Sequence, residues 1–262
     1  MSLEVLGEVL AFGENAYGVR FGNYVSVFFV TSAGVILVDP CGQVEPRLPR
    51  LIQATIGLVT DQPVRHVVYS HWGSDHTRGG VLFAPDAEFI AHKNAGPKIV
   101  ADGDPNSPPA TLLLDAPHTI ALGDTEVTLY PTDFWSGDDY LIVHEPRSQV
   151  LMTVDFIQRK SVPFRRLFGL PERIVERLAW LDETLAYEHV ISGHTQPVSC
   201  AGREDVREQR QYYLDLAAAV EGARGDPAAA RAALEPKYGT WRRFPEMVDD
   251  NIAGYLEWTA TR

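Results

Sequence analysis

The chain has 262 residues, 45% hydrophobic and 22% charged, the make-up of an ordinary globular protein able to bury a sizeable core in one large domain or two small ones, and a single domain spanning 1–262 is expected. Its formal net charge of -12 argues against partners of nucleic acid or anionic membrane, because no basic patch is present to neutralise phosphates. Two cysteines, Cys41 and Cys200, are too few for a disulfide framework and read as reduced thiols. With no basic-then-apolar leader at the N-terminus and no run approaching ~20 apolar residues, the expected location is cytoplasmic.

In chain order, β-branched and aromatic runs at 25–31 and 35–38 flank Ser32-Ala33-Gly34, a hairpin signal, and the second run ends in Asp39-Pro40-Cys41-Gly42. Residues 44–58 place Val44, Leu48, Leu51, Ile52 and Ile56 at helical spacing. Strands are predicted at 64–70 and 89–92, and 102–109 is a loop of turn-forming residues. Four more strands follow at 119–122, 127–130, 140–144 and 150–154. A helix is predicted over 171–186, with its proline in the first turn, and then a strand at 189–192. From about Arg203 the chain reads as mostly helical, broken at Gly225-Asp226-Pro227. Strands joined by turns, then strand–helix alternation, predict a layered α/β domain with mixed sheets.

Ends of the predicted strands carry the side chains that matter chemically. The strand at 64–70 delivers His71, Asp75 and His76; that at 150–154 delivers Asp155; that at 189–192 delivers His194; and that at 127–130 leads to Asp133. Imidazoles and carboxylates converging from rigid strand ends suit zinc, iron or manganese. Each has a plain alternative on its own: His194 as a structural histidine, Asp75 as a helix cap, Asp155 as a turn residue. Their joint occurrence favours a metal site.

The stretch Ser70-His71-Trp72-Gly73-Ser74-Asp75-His76 resembles the His-x-His-x-Asp-His signature of the metallo-β-lactamase superfamily, with Gly73 standing where the second histidine belongs. The resemblance extends to Val35-Ile-Leu-Val-Asp39, to the trailing Gly79-Gly80, to Val150-Leu-Met-Thr-Val-Asp155 and to Ile191-Ser-Gly-His194. It implies an αββα sandwich, two mixed sheets flanked by helices, with a metal centre at one edge. It also implies two metal positions. The second would take Asp75, His76 and His194, with Asp155 shared, and all four are present. The first would take His71, the missing partner at Gly73, and a third histidine in the stretch 130–139. There the aligned residue is Ser136, Trp135 or Asp133, and none of these is histidine. Two protein ligands are too few for zinc; Asp133 would make three and give an oxygen-rich site closer to manganese or iron. One divalent metal per chain is therefore expected rather than two, zinc first.

The activity implied is hydrolysis of an ester, lactone, thioester or amide of a small molecule, with Asp75 or Asp155 orienting or deprotonating water and His71, released from metal duty, as general base or acid. The alternatives are a lyase, cyclase or isomerase using the same pocket, or an inert binding protein on the same scaffold. His66, His92, His118, His144 and His189 read as structural histidines. Trp72, Phe134 and Trp135 are candidates for an apolar pocket wall, and Arg159, Lys160, Arg165 and Arg166 for contact with an anionic substrate or for a solvated basic stretch.

Overall fold

A computed structural model describes residues 7–43, 46–84, 86–134, 137–155, 157–164, 171–194 and 202–261. The chain divides into two compact units: Met1–Thr132, Asp139–Asp155 and Ala186–Cys200 form the first, and Asp133–Asp138, Phe156–Leu185 and Ala201–Arg262 the second.

The first unit is built on two mixed sheets. The larger has seven strands in the order β1 (Glu8–Phe12), β2 (Ala16–Phe21), β3 (Tyr24–Thr31), β4 (Gly34–Val38), β5 (Val64–Val68), β6 (Glu88–His92) and β7 (Leu112–Leu114). β1 to β4 are antiparallel neighbours, and β4 to β7 are parallel. The smaller sheet runs β12 (His189–Ile191), β11 (Val150–Met152), β10 (Gly137–Glu145), β9 (Thr125–Phe134) and β8 (His118–Leu122), with β11 and β12 parallel. The predicted hairpin forms as read: Thr31 pairs with Gly34 across Ser32 and Ala33.

Strand periodicity explains how the layers meet. On β3, Val25, Val27 and Phe29 point into the core between the sheets, opposite Val127, Leu129, Leu141 and Val143. Phe28, between them in sequence, joins the other core with Ile52 and Ile56 of α1 (Leu48–Val59) and Ile99 of α3 (Ala95–Asp102). β4 reads as an unbroken apolar run because both its faces are covered: Ile36 and Val38 face one core, Val35 and Leu37 the other. The helix expected over 44–58 begins at Leu48; Val44 lies outside the described residues. Helix α3 was not legible in the sequence, since Gly96-Pro97 in its first turn reads as a break; Gly103 in the left-handed region ends it.

The second unit contains α4 (Pro171–Thr184), α5 (Arg203–Gly222), α6 (Pro227–Tyr238) and α7 (Phe244–Ala260). The Gly225-Asp226-Pro227 break is a helix start: the Asp226 carboxylate accepts from the Ala228 and Ala229 backbone N–H groups. Arg203 and Arg207 of α5 both reach Asp182 of α4. Tyr212, Tyr238 and Trp241 pack ring against ring, and Tyr212 Oη donates to Asn251 of α7 at 2.8 Å. Among the described residues no helix is long and apolar enough to cross a membrane. Cys200, Arg165 and Arg166 lie outside the described residues.

Candidate metal centre

The C-terminal ends of the parallel strands of the larger sheet build one side of the site. β4 is followed by Asp39, which is fully buried and adopts φ 54°, and its carboxylate meets the loop that follows β5. Asp39 Oδ1 accepts the Ser70 backbone N–H at 2.8 Å, and Oδ2 accepts the Ser70 hydroxyl at 2.6 Å. Oδ2 also lies 3.0 Å from His76 Nδ1. A carboxylate can only accept, so His76 carries its proton on Nδ1 and turns Nε2 inward. The Ser70 hydroxyl has given its hydrogen to Asp39, and its oxygen sits 3.0 Å from His71 Nδ1. His71 is therefore also the Nδ1–H tautomer. One buried aspartate sets the orientation of both imidazoles, the second through Ser70.

After β5 the chain makes a short helix, α2 (Ser74–Thr77), which carries Asp75 and His76. The loop at 102–109 supports it: Gly79 N–H donates to Asn106 O at 2.9 Å, and Thr77 Oγ1 lies 3.1 Å from Ser107 Oγ. The smaller sheet supplies the other two ligand candidates. Asp155 follows β11 and His194 follows β12, and the two ends are tied by Gly193 N–H donating to Val154 O at 3.0 Å. Val154 is a β-branched residue at φ 49°, a strained conformation that costs on the order of 1–3 kcal/mol and turns the chain into Asp155.

These elements bring five predicted residues together. His76 Nε2 lies 3.0 Å from His194 Nε2, and His194 Nε2 lies 3.1 Å from Asp155 Oδ1. Asp75 Oδ2 is 3.7 Å from His76 Nε2 and 3.6 Å from His194 Nε2. His71 Nε2 is 4.0 Å from Asp155 Oδ2. Two overlapping triads, His71–Asp75–His76 and His76–Asp155–His194, each offer ligand atoms within 4.8 Å of one another. Asp133 is in neither; it falls in the second unit, where its Oδ2 receives Arg173 Nη1 at 2.6 Å. Trp135 and Ser136, the other positions aligned with a third histidine, lie outside the described residues.

Burial and charge act in opposite directions across the cluster. Burial pushes His76 down, but its hydrogen bond to Asp39 and that carboxylate's charge reverse the shift and hold it well above the ordinary imidazole range. Burial alone would raise Asp39; the hydrogen bond and charge of His76 hold it below the usual carboxylate range. His194 and His71 are both lowered, chiefly by burial. Burial would raise Asp75, and the charges of His76, His71 and His194 bring it down. Cys41, buried against His76, is pushed up to about 11 by burial and serves as a packing thiol.

Two glycines are required by close approach. A Cβ on Gly193 would stand 2.8 Å from His76 Cε1, and one on Gly73 would stand 2.5 Å from His71 Nε2 and 2.8 Å from Asp75 Oδ1. Gly73 has φ -50°, which any residue adopts, so space and not backbone freedom selects glycine there. The space beside Gly73 is thus taken by the Nε2–Cδ2 edge of the His71 ring, which stacks on Tyr140 with centroids 4.6 Å apart and planes at 11°. Gly73→Ala is expected to displace His71 and to lower stability by about 1–3 kcal/mol, checked by chemical denaturation. A change below about 0.5 kcal/mol would mean the ring does not occupy that space.

Sequence reasoning missed Tyr140, Tyr24 and Ser70. Tyr24 opens β3 after the Gly22-Asn23 turn, and its hydroxyl donates to Asp75 Oδ2 at 3.3 Å. No local pattern links residues that meet only through the tertiary fold. His66, His92 and His144 have structural partners: the Glu88 carboxylate, the Asn94 N–H and the Ala186 carbonyl.

No protein-family model matches the chain, and a search of curated proteins found no match. Solved structures do match. The stereoselective inverting sec-alkylsulfatase Pisa1 from Pseudomonas sp. aligns over 96% of this chain and 50% of its own, at 15% identity and a TM-score of 0.74. A metallo-β-lactamase from Pontibacter korlensis aligns over 79% of this chain and 99% of its own, at 15% identity and a TM-score of 0.64. Metallo-β-lactamase IND-7 aligns over 80% and 100%, at 18% identity and a TM-score of 0.63. The chain spans about half the length of the alkylsulfatase it matches. It has the metallo-β-lactamase fold, with two mixed sheets flanked by helices, as the sequence resemblance implied.

Proposed function

We propose that this chain is a metal-dependent hydrolase of the metallo-β-lactamase superfamily, acting on an ester, lactone, thioester or amide of a small molecule through one well-formed metal position. The observation that carries the reading is the convergence of His76 Nε2, His194 Nε2 and Asp155 Oδ1. That oxygen is buried and accepts no hydrogen bond among the described residues. Two imidazole nitrogens and an unsatisfied carboxylate oxygen, with Asp75 as a fourth donor, fit zinc first and manganese or iron as alternatives. An ion there supplies Lewis acidity toward the substrate carbonyl or its equivalent. Of the first position, His71 and the shared Asp155 are the candidates among the described residues, and Tyr140 stacks on the His71 ring.

His71 is the general base or acid in this reading. Its Nδ1–H is committed to Ser70, Tyr140 holds the ring plane, and burial keeps it neutral, so Nε2 accepts a proton. Asp75, which burial would raise and the His76 charge chiefly brings down, orients the attacking water. Trp72, 44% exposed on the same loop, gives an apolar surface to the rest of the substrate.

Protein reconstituted separately with zinc, manganese and iron would be screened against lactones, thioesters, carboxylic esters and amides. Sulfate esters join the panel because a similar structure is an alkylsulfatase. The expected result is turnover of one bond class, suppressed by chelator and restored by metal. No chelator-sensitive turnover of any class would overturn the reading.

A further inference from the structure

The geometry points to Tyr24 as a positioning residue that holds the metal-binding side chains in place from the N-terminal hairpin; the inference rests on the metal centre proposed above. Tyr24 makes three separate connections to that centre. Its hydroxyl donates to Asp75 Oδ2 at 3.3 Å. Its ring meets the His194 imidazole edge-on, with centroids 4.6 Å apart and planes at 68°. Its backbone forms an antiparallel bridge with His194, and the next residue, Val25, donates its N–H to Gly193 O at 3.0 Å.

The hairpin makes this possible. Gly22 at φ 57° and Asn23 turn the chain tightly between Phe21 and Tyr24, so Tyr24 is fixed at the first position of β3. From there it touches one candidate ligand that follows β5 and another that follows β12, strands of different sheets. A carboxylate and an imidazole on short connections lose rotational freedom when an ion binds. A hydroxyl and a ring edge that hold them beforehand reduce that loss.

Two variants separate the hydroxyl from the ring. Tyr24→Phe keeps the edge contact and the hairpin but leaves Asp75 without this donor. It is expected to weaken metal affinity about 10-fold, measured by competition with a chromogenic chelator, and to shift the visible spectrum of the cobalt-loaded protein. The melting temperature of the metal-free protein is expected to stay at the wild-type value. Tyr24→Ala removes the ring as well and is expected to weaken affinity about 100-fold. Wild-type affinity and an unshifted cobalt spectrum in Tyr24→Phe would overturn the inference. So would a metal-free melting temperature that falls in step with affinity, since the residue would then be structural. Wild-type protein that takes up no ion would overturn the metal centre and this inference together; a wild type that binds normally beside an equally tight Tyr24→Phe overturns this inference alone.

Discussion

Asp39→Ala is expected to lower stability by about 3–5 kcal/mol, the range for removing one partner of a buried, hydrogen-bonded charge pair. The side chain is fully buried and receives the Ser70 N–H, the Ser70 hydroxyl and the His76 Nδ1–H. Alanine leaves all three without an acceptor in a space closed to water, at about 1–3 kcal/mol each before relaxation. The effect has a pH signature in the metal-free protein. Asp39 is lowered in the folded state, so its contribution is present above the ordinary carboxylate range and lost as pH falls through the folded value. His76 is raised, so its contribution is complete below the ordinary imidazole range and lost as pH rises through its folded value. The gap between wild type and variant is therefore widest between those limits and narrows in alkaline solution. Urea denaturation at several pH values checks both points; a gap under about 1 kcal/mol at every pH would mean that Asp39 does not anchor the two histidines.

His194→Ala is expected to act in the opposite way, with a large loss of function and little loss of fold. The residue follows β12, and its side chain remains partly exposed. Its Nε2 is nevertheless the point where His76 and Asp155 come closest, at 3.0 and 3.1 Å. Removing it leaves the Asp155 oxygen and the His76 nitrogen without their common neighbour. Hydrolytic activity is expected to fall by more than ~100-fold, beyond the usual effect of an outer-shell partner. The metal-free melting temperature should change by only a few degrees. Retention of metal at the wild-type ratio in this variant would contradict the ligand assignment.

Where local rules decide the structure, the sequence was legible. The β-branched and aromatic run at 25–31 reads as a strand, and the structure places Val25, Val27 and Phe29 in one core and Phe28 in the other. Ser32-Ala33-Gly34 announces a hairpin and Gly225-Asp226-Pro227 a break between helices through turn chemistry; that Asp226 caps the helix after the break came from the structure. His71, Asp75, His76, Asp155 and His194 stood out because ligand-type residues follow strands, and the fold gathers them. What escaped was tertiary. Tyr24 and Tyr140 reach the cluster from strands whose sequences look merely aromatic. Asp133 satisfied the same ligand criteria as Asp155 but is held by Arg173, a residue on a different element. Gly73 looked like the site of a lost ligand; the missing Cβ is what lets His71 lie where it does.

The most direct test of the account is elemental analysis of wild-type protein after reconstitution with zinc, manganese and iron and removal of free ion. The triad of His76, Asp155 and His194, with Asp75 Oδ2 3.7 and 3.6 Å from its two imidazole nitrogens, predicts one ion per chain. No bound ion would contradict the proposed centre, and two would contradict the reading that Gly73, His71 and Tyr140 leave only one position able to hold metal.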